Sequence, residues 1–344
     1  MRPLARVQAE ALRRRGVDVL LVTSDRHPEL DAARDYEVVL DPEFRIASGW
    51  RATIAAWRRA RDYRADVVIS ELVSDPRWIA LAGRTPRIQL VHDDRGYGAT
   101  ERQPAYERAV FDRWGTHSAA TITYCNHVAV SVAPRRDVSG SPMHVLPLTS
   151  DLDPALVPPM VGADARHDFV MVGRLNADKN VDVVLDAWAQ HVAGSGWRGD
   201  ELVLIGDGPL IIRSLPPYVR WSPGPYQYSE VVPIVAAAKG SIAHYRRASQ
   251  SGVQVLSMQL GVMPIVSTAG GLPEYQPSSC PPVGIDDIAG LAAAFDDLAD
   301  PFTATLRGAA AARHYAERFA VDCVAGHLLE VITDVLTNHP GVSR

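Results

Sequence analysis

The stretch of sequence that decides the fold is Gly173-Arg174-Leu175-Asn176-Ala177-Asp178-Lys179-Asn180. It follows an apolar run at 169–172 and precedes an amphipathic stretch that continues to Ala189. Strand, short loop and helix start, in this order, predict a phosphate-binding geometry, because free backbone N–H groups at the first turn of a helix attract anions. Arg174 and Lys179 place two cations on this loop, although only two of the 35 basic residues in the chain are lysines. We interpret both as phosphate ligands; the alternative is a solvated helix start.

Strand-like runs alternate with helical patterns along the whole chain. In the first half the runs cover residues 17–23, 67–70, 88–92 and 121–124, and in the second half they cover 169–172, 202–205, 241–243 and 264–267. Two helices are expected within 303–336, with a break near Phe319. Repeated units of strand and helix predict parallel sheets with helices on both faces, which is the α/β class.

A proline-rich segment divides the chain near residue 160. A chain of 344 residues exceeds the usual size of one hydrophobic core, so two domains are expected. We predict two doubly wound, Rossmann-like domains that face each other across a cleft. Their predicted bounds are 1–150 for the first domain, 151–167 for a linker, 168–318 for the second domain and 319–344 for a C-terminal helix that packs back toward the first domain. Ligands in such sheets bind at the carboxyl ends of the strands, so the cleft should hold the site.

Composition and charge exclude several classes of protein. The net charge of −5 argues against a nucleic-acid partner, and no apolar run approaches the length of a membrane span. We expect no signal peptide, because the first residues lack a continuous apolar core. Cys125, Cys280 and Cys323 are scattered along the chain, which suits a reducing cytoplasm and provides no metal-binding pattern.

Three further segments place small residues beside predicted strands or helices. Gly206-Asp207-Gly208-Pro209 follows a predicted strand, and its glycines permit a close approach of backbone to a ligand. The segment 261–274 contains another strand and then Gly270-Gly271 before Glu274. Ser249-Gln250-Ser251-Gly252 opens a helix whose free N–H groups suit a phosphate.

These segments, in this order and spacing, resemble the retaining glycosyltransferases of family 4, which have the GT-B fold. The resemblance covers nearly the whole chain. In the first domain it rests on the helix that ends near residue 15, on Val91-His92-Asp93 and on Val145-Leu146-Pro147, and it implies an acceptor-side domain. In the second it rests on the G-R-L…K-N, G-D-G-P and G-G-L-P-E segments, and it implies a donor domain. The implied activity transfers a hexose from a nucleotide-sugar to an acceptor hydroxyl, with retention of the anomeric configuration.

The resemblance implies roles for single residues. Arg174 and Lys179 would hold the diphosphate of the donor and neutralise the leaving group, so that neither a metal ion nor another cofactor is needed. His92 would reach the donor sugar from across the cleft; the alternative is a surface imidazole at a strand end. The other residues implied to bind the donor are Gly173, Gly206, Gly208, Gln250, Ser251, Gly252, Gly270, Gly271 and Glu274. Glu274 has an alternative interpretation as a helix N-cap or a solvated side chain.

Two features depart from the family pattern. The donor domain of the family usually has two glutamates separated by seven residues, here expected at Ala248 and Leu256. The first normally contacts the donor sugar or phosphate and the second the ribose, and Gln250, Ser251 and Ser257 are the polar neighbours that remain. The chain also opens on a helix, without the strand that precedes it in this fold. We expect a start codon assigned too far downstream, or a truncated gene.

Other motifs favour simpler interpretations. Asp151-Leu152-Asp153 fits a D-x-D metal signature, but its place in the proline-rich linker favours turn chemistry. His92-Asp93-Asp94 lacks a second histidine at ligand spacing, and the sequence has no G-x-S-x-G elbow of a hydrolase. Trp50, Ile54 and Trp57 fall on one helical face among several arginines. We favour a core-facing stripe over a basic helix that lies on an anionic bilayer.

Three functions stay open on the sequence alone. The leading one is a cytoplasmic hexosyltransferase, with peripheral contact at the inner membrane face as an option. Its partners would be a nucleotide-sugar donor and an acceptor that is a glycan, a lipid-linked molecule or a small molecule. The second is a non-catalytic GT-B protein that acts as a scaffold or partner of another glycosyltransferase, which the missing glutamates favour and Arg174 and Lys179 oppose. The third is a GT-B epimerase, which would need carboxylates in the cleft.

Overall fold

The computed structural model describes residues 2–25, 31–41, 47–71, 77–93, 110, 112–209 and 214–338. The chain forms two compact units. The first comprises Met1–Pro147 and Val321–Arg344, and the second comprises Leu148–Ala320. The segment at 148–167 therefore belongs to the second unit, and the helix that follows Ala320 belongs to the first.

Helices and parallel strands alternate through both units. The helices are α1 (Arg2–Arg14), α2 (Ala47–Tyr63), α3 (Arg77–Ala82), α4 (Asn126–Val132), α5 (Val181–Ala193), α6 (Tyr228–Ala237), α7 (Gly252–Gln259), α8 (Leu272–Tyr275), α9 (Ile288–Ala299), α10 (Pro301–Arg318) and α11 (Val321–Asn338). The strands are β1 (Leu21–Ser24), β2 (Glu37–Leu40), β3 (Val68–Glu71), β4 (Arg87–Val91), β5 (Ala120–Thr123), β6 (Met143–Val145), β7 (Phe169–Val172), β8 (Leu202–Ile205), β9 (Val219–Ser222), β10 (Gly240–Ala243) and β11 (Pro264–Val266).

The strands of the first unit form two parallel sheets. One contains β1 and β2, and the other has the order β3-β4-β5-β6. In the described part of this unit, no ladder of hydrogen bonds joins the two sheets. In the larger sheet β5 is buried along its whole length, as expected for a parallel strand covered by helices on both faces.

Helix α1 is fixed to β2 by a buried ion cluster. Arg2 Nε lies 2.8 Å from Glu37 Oε1, and Arg6 Nη2 lies 2.6 Å from Glu37 Oε2. Glu37 is only 3% exposed. Burial alone would raise the pKa of this carboxyl, but its hydrogen bonds with Arg2 and Arg6 lower the pKa to about 2. The cluster therefore links the first helix of the chain to a strand more than twenty residues later.

The two C-terminal helices are separated at Phe319-Ala320, which confirms the predicted break. Helix α11 contacts α1 in the first unit. Arg14 Nη2 lies 2.9 Å from Asp322 Oδ1, and Arg15 Nη2 donates to the Asp322 carbonyl at 2.6 Å. Two arginines that follow each other at the end of the first helix therefore bind the N-terminal turn of α11, the last described helix.

The second unit contains one parallel sheet with the order β11-β10-β7-β8-β9. Its core includes an aromatic cluster formed by Phe169 of β7, Trp188 of α5 and Phe295 of α9. The Phe169 and Trp188 rings lie 5.7 Å apart between centroids, and Phe295 lies 5.1 Å from Phe169 and 5.3 Å from Trp188. All eight predicted strands are present, whereas the sequence analysis missed β2, β6 and β9.

The stripe on α2 faces solvent, so the favoured interpretation of it as core-facing is wrong. Trp50, Ile54 and Trp57 are 54%, 47% and 40% exposed. The helix is instead buried at the small residue Ala56, and it contacts α3. Arg77 of α3 donates to the hydroxyl of Thr53 on α2 at 3.3 Å. The three wide side chains therefore lie on the exposed side of this helix. None of the helices in the described ranges combines the length and the apolar character that crossing a membrane requires.

Candidate active site

The loop after β7 forms a 3-10 turn, Ala177–Lys179, before α5 begins. The side chain of Asn176 caps this turn by accepting a hydrogen bond from the N–H of Asp178 at 3.1 Å. Asn180 then adopts a left-handed conformation with φ of 55°, which asparagine tolerates better than most residues. Lys179 therefore belongs to a separate turn, rather than to the first turn of the helix itself.

Asn180 is fully buried and fixes this loop to two others. Its side-chain nitrogen donates to the Ile285 carbonyl at 2.7 Å, and its side-chain oxygen accepts from Arg246 at 2.6 Å. The backbone N–H of Arg246 also donates to the Asp178 carbonyl at 2.8 Å. These bonds hold the loop that carries Lys179 against the segment that follows β10.

Lys179 lies over an aromatic ring from that segment. Its Nζ is 3.4 Å from the ring centroid of Tyr245, which is buried. A lysine ammonium at this distance is attracted to the electron-rich face of the ring. In the described part of the chain, Lys179 has no ion pair, so its charge remains available to an anion.

A cavity of about 240 Å³ in the second unit brings predicted residues together. Lys179, Gln250, Ser251 and Gly252 all line it. Ser251 caps α7 by accepting a hydrogen bond from the Gln254 N–H at 3.3 Å. A methyl group at Gly252 would meet no atom within 4 Å, so the start of this helix is open. Gln250 Oε1 is buried and has no hydrogen-bond partner among the described residues.

Sequence reasoning missed three polar residues of this cavity: Asp151, Tyr226 and Tyr228. The Tyr228 hydroxyl donates a short hydrogen bond to Asp151 Oδ1. Burial and the nearby charge of Asp151 raise the pKa of Tyr228 above its ordinary value. Asp153, the other carboxylate of the D-x-D pattern, accepts from the Ala155 N–H at 2.9 Å, which is the predicted turn chemistry.

Arg174 is not among the residues that line the cavity. Its side chain is exposed, and within the described ranges it makes no hydrogen bond or ion pair. Gly173, immediately before it, has a φ of 128°, a conformation that glycine adopts without strain. The structure therefore places Lys179 on the cavity wall and leaves Arg174 in solvent.

The glycines of Gly206-Asp207-Gly208-Pro209 pack against the loop that carries Arg174. A methyl group at Gly206 would lie 2.2 Å from the Gly173 carbonyl oxygen, and one at Gly208 would lie 1.8 Å from the Leu175 carbonyl oxygen. The Leu175 N–H also donates to the Asp207 carbonyl at 2.9 Å. These glycines have a packing role that the sequence analysis did not anticipate, since it predicted an approach to a ligand.

We expect Gly208→Ala to lower the free energy of unfolding by about 2–3 kcal/mol, because its methyl group would collide with backbone that has to move. Gly252→Ala is the matched control and should change stability by less than about 0.5 kcal/mol, since its methyl group meets open space. Urea denaturation of both variants would measure the difference. Equal stabilities would contradict the close packing of the two loops.

The double glycine follows β11 and precedes α8. Gly270 has a φ of 54°, and Gly271 is the N-cap residue of α8. Glu274 is the third residue of that helix and is exposed, so it is not an N-cap. Gln254 of α7 donates to the Leu272 carbonyl at 3.0 Å, which ties this loop to the helix that borders the cavity.

His92 follows β4 in the first unit and is 7% exposed, so its interpretation as a surface imidazole is wrong. Its Nε2 lies 2.5 Å from Glu71 Oε1. The ring packs edge to face on Tyr124, with centroids 4.6 Å apart. Glu71 also accepts from the Tyr124 hydroxyl at 3.2 Å. The role of His92 at a donor sugar stays a prediction, and Asp94 lies outside the described residues.

The two positions that lack the expected glutamates differ in their surroundings. Leu256 lines the cavity but is only 4% exposed. It belongs to an apolar cluster that includes Leu152, Val172 and Val262. Ala248 is partly exposed and is not among the residues that line the cavity. The wall at Leu256 is therefore built from hydrocarbon.

Two family models match the chain. Residues 5–153 match Glycosyltransferase Family 4, and residues 166–301 match Glycosyl transferases group 1. No curated protein matches. Among solved structures, a glycosyltransferase from Rickettsia africae is 14% identical, with a TM-score of 0.67 over 97% of this chain and 94% of its own. Sucrose-phosphate synthase from Thermosynechococcus elongatus is 16% identical, with a TM-score of 0.70 over 97% and 92%.

A third similar structure is Anabaena HepE in complex with UDP and glucose. It is 13% identical, and the TM-score is 0.64 over 96% of this chain and 95% of that chain. At these identities the likeness shows the fold, while the two family models cover most of both units. This chain belongs to the family 4-like glycosyltransferases with the GT-B fold.

Proposed function

We propose that this glycosyltransferase moves a hexose from a nucleotide-sugar to an acceptor hydroxyl, with retention and without a metal ion. The observation that supports the proposal most strongly is the cavity on which Lys179, Gln250, Ser251 and Gly252 meet. It combines an ammonium group with the capped start of α7, and both features attract phosphate. HepE was crystallised with UDP and with UDP-glucose, which supports a uridine nucleotide as the first probe.

Negative charge develops on the departing diphosphate during such a transfer, and groups that stabilise this charge speed up the reaction. In the proposed reaction Lys179 stabilises the departing diphosphate, and Arg174 joins it from an earlier position on the same loop. A phosphate oxygen of the leaving group takes the proton of the acceptor on the same face of the sugar, so that no strong protein base is required. His92, held by Glu71, is proposed to contact the donor sugar. The acceptor is a glycan, a lipid-linked molecule or a small molecule.

Removing the Lys179 ammonium should weaken nucleotide binding. We expect Lys179→Ala to reduce the affinity for UDP by about 1.5–3 kcal/mol, the contribution of a hydrogen bond to a charged group. The matched control is Arg247→Ala, which removes a positive charge from an exposed position outside the cavity lining. Titration calorimetry at fixed ionic strength measures both variants. The same UDP affinity in Lys179→Ala and the wild-type protein would reject the role of Lys179.

Turnover is tested separately from binding. The protein is incubated with UDP-glucose and a panel of acceptors, with EDTA in a parallel sample, and UDP release is measured. The anomeric configuration of any product is read by NMR, and retention with unchanged rates in EDTA is the expected result. Inversion, or a rate that collapses with EDTA and returns with added metal, would overturn those parts of the proposal.

A non-catalytic GT-B protein is the second candidate. It is favoured by Leu256, which puts hydrocarbon where the family resemblance implies a glutamate. Such a protein would bind UDP, or another nucleotide, without releasing it from a nucleotide-sugar in the presence of any acceptor. The turnover assay therefore separates the two candidates, provided that calorimetry has first shown binding.

Helix α2 supports peripheral contact with a bilayer at the cytoplasmic face. Its exposed Trp50, Ile54 and Trp57 lie among several exposed arginines, and tryptophan with arginine suits an interface with anionic lipids. We expect the double variant Trp50→Ala, Trp57→Ala to reduce co-sedimentation with vesicles that contain phosphatidylglycerol by about ten-fold. The control is Phe302→Ala, since Phe302 is also highly exposed but lies on α10. Equal sedimentation of all proteins, or binding to neutral vesicles alone, would contradict this surface.

A further inference from the structure

Among the residues that the structure describes, Asp151 is the one carboxylate that lines the cavity. It lies in the segment at the start of the second unit, where the sequence analysis favoured turn chemistry over a D-x-D metal site. Its neighbour Leu152 is buried in the same apolar cluster as Leu256. The chain is therefore fixed on one side of Asp151, and its carboxylate is held at the cavity wall.

One oxygen of this carboxylate is occupied and the other is open. The Tyr228 hydroxyl donates to Oδ1, while no described residue donates to Oδ2. Tyr228 begins α6 and is partly buried, so its hydroxyl holds the carboxylate in one orientation. A partly exposed carboxylate with one directed and one open oxygen is an acceptor for hydrogen bonds from a ligand.

The rest of the lining defines what that ligand has to offer. Lys179 supplies a positive charge, which calls for an anion. Gln250 Oε1 is a second acceptor without a partner, and it calls for a donor. Leu256 supplies an apolar part of the lining. A ligand with an anionic end and neighbouring hydroxyl groups satisfies all of these demands, and a nucleoside diphosphate with an intact ribose has that pattern.

We propose that Asp151 is a binding residue of the donor site that accepts hydrogen bonds from the ribose hydroxyls of a nucleoside diphosphate whose phosphates contact Lys179. Tyr228 is the positioning residue that orients the Asp151 carboxylate. The inference rests on the proposed nucleotide-sugar function and names a residue that gives the site its preference for ribose. It also gives this chain a carboxylate for the hydroxyls although position 256 is a leucine.

The test compares UDP with 2′,3′-dideoxyuridine diphosphate by calorimetry. The wild-type protein should bind UDP about ten-fold or more tightly than the dideoxy compound, because hydrogen bonds to a carboxylate are strong. Asp151→Asn keeps the shape and an acceptor for Tyr228 but replaces the open oxygen with an amide nitrogen. The Asp151→Asn variant should bind UDP about ten-fold more weakly than the wild-type protein does, whereas its affinity for the dideoxy compound should change little. Tyr228→Phe should reduce the same preference, and Asp153→Asn should leave it unchanged.

Each outcome decides one question. The assignment of Asp151 is wrong if Asp151→Asn and Tyr228→Phe both keep the wild-type preference for UDP over the dideoxy compound. It is also wrong if both variants lose affinity for the two compounds by the same factor. If Lys179→Ala weakens the binding of UDP in the same series, the proposed function stands even though the assignment of Asp151 has failed. A wild-type protein that binds none of UDP, GDP and ADP overturns both proposals. Melting temperatures of all variants are measured first, and Tyr228→Phe decides the question if Asp151→Asn does not fold.

Discussion

We expect Leu256→Glu to lower the free energy of unfolding by about 3 kcal/mol or more, without tightening the binding of UDP. The family resemblance alone would suggest the opposite, since this is where a ribose-binding glutamate is implied. The structure decides between the two outcomes, because Leu256 is packed among Leu152, Val172 and Val262. A carboxylate at that position would lose its hydration among these apolar neighbours.

A pH series separates the effect of the introduced charge from the effect of the changed side-chain shape. Burial raises the pKa of a carboxyl group, so the introduced glutamate should destabilise less as the pH falls toward about 4 and the group is protonated. Leu256→Met is the matched control, and it should cost less than about 1.5 kcal/mol at every pH because its volume is similar. An increase in UDP affinity with an unchanged melting temperature would show that the cavity keeps a ribose contact at this position.

The second large effect is expected at Glu37. Glu37→Gln should destabilise the first unit by about 3 kcal/mol, because it removes the buried anion that Arg2 and Arg6 share. Each arginine keeps one further carboxylate partner, Asp25 for Arg2 and Asp31 for Arg6. The matched control is Glu201→Gln. Its carboxylate lies 3.3 Å from Arg220 on an exposed surface, where removing an ion pair costs about 0–1 kcal/mol.

The same cluster predicts a pH dependence. The pKa of Glu37 is about 2 in the folded protein, below its usual value of 4.5. Its contribution to stability is therefore present above pH 4.5 and is lost as the pH falls toward 2, by about 3 kcal/mol in total. Urea denaturation between pH 7 and 3, followed by circular dichroism, should show a decline that is smaller in Glu37→Gln. Parallel curves for the two proteins would contradict this assignment.

Much of the fold could be predicted from the sequence because parallel strands are buried on both faces. The runs at 169–172 and 202–205 are continuous apolar segments, and they coincide with β7 and β8. The strands that the sequence analysis missed carry polar residues. In β9 the arginine and serine are exposed and alternate with partly buried residues, and β6 contains a histidine. Both strands lie at the edge of a sheet, where a continuous apolar run is not required.

The sequence by itself determined the family and the loop that carries Lys179, since local motifs and their spacing are properties of the chain. Only the tertiary structure decided which polar groups meet. Asp151 and Tyr228 are 77 positions apart, and their hydrogen bond arises because two separate segments reach the same cavity. Likewise, only the structure shows that Trp50 is exposed while Ala56 of the same helix is buried. Periodicity places residues on one face of a helix, but the neighbouring elements determine whether that face is buried.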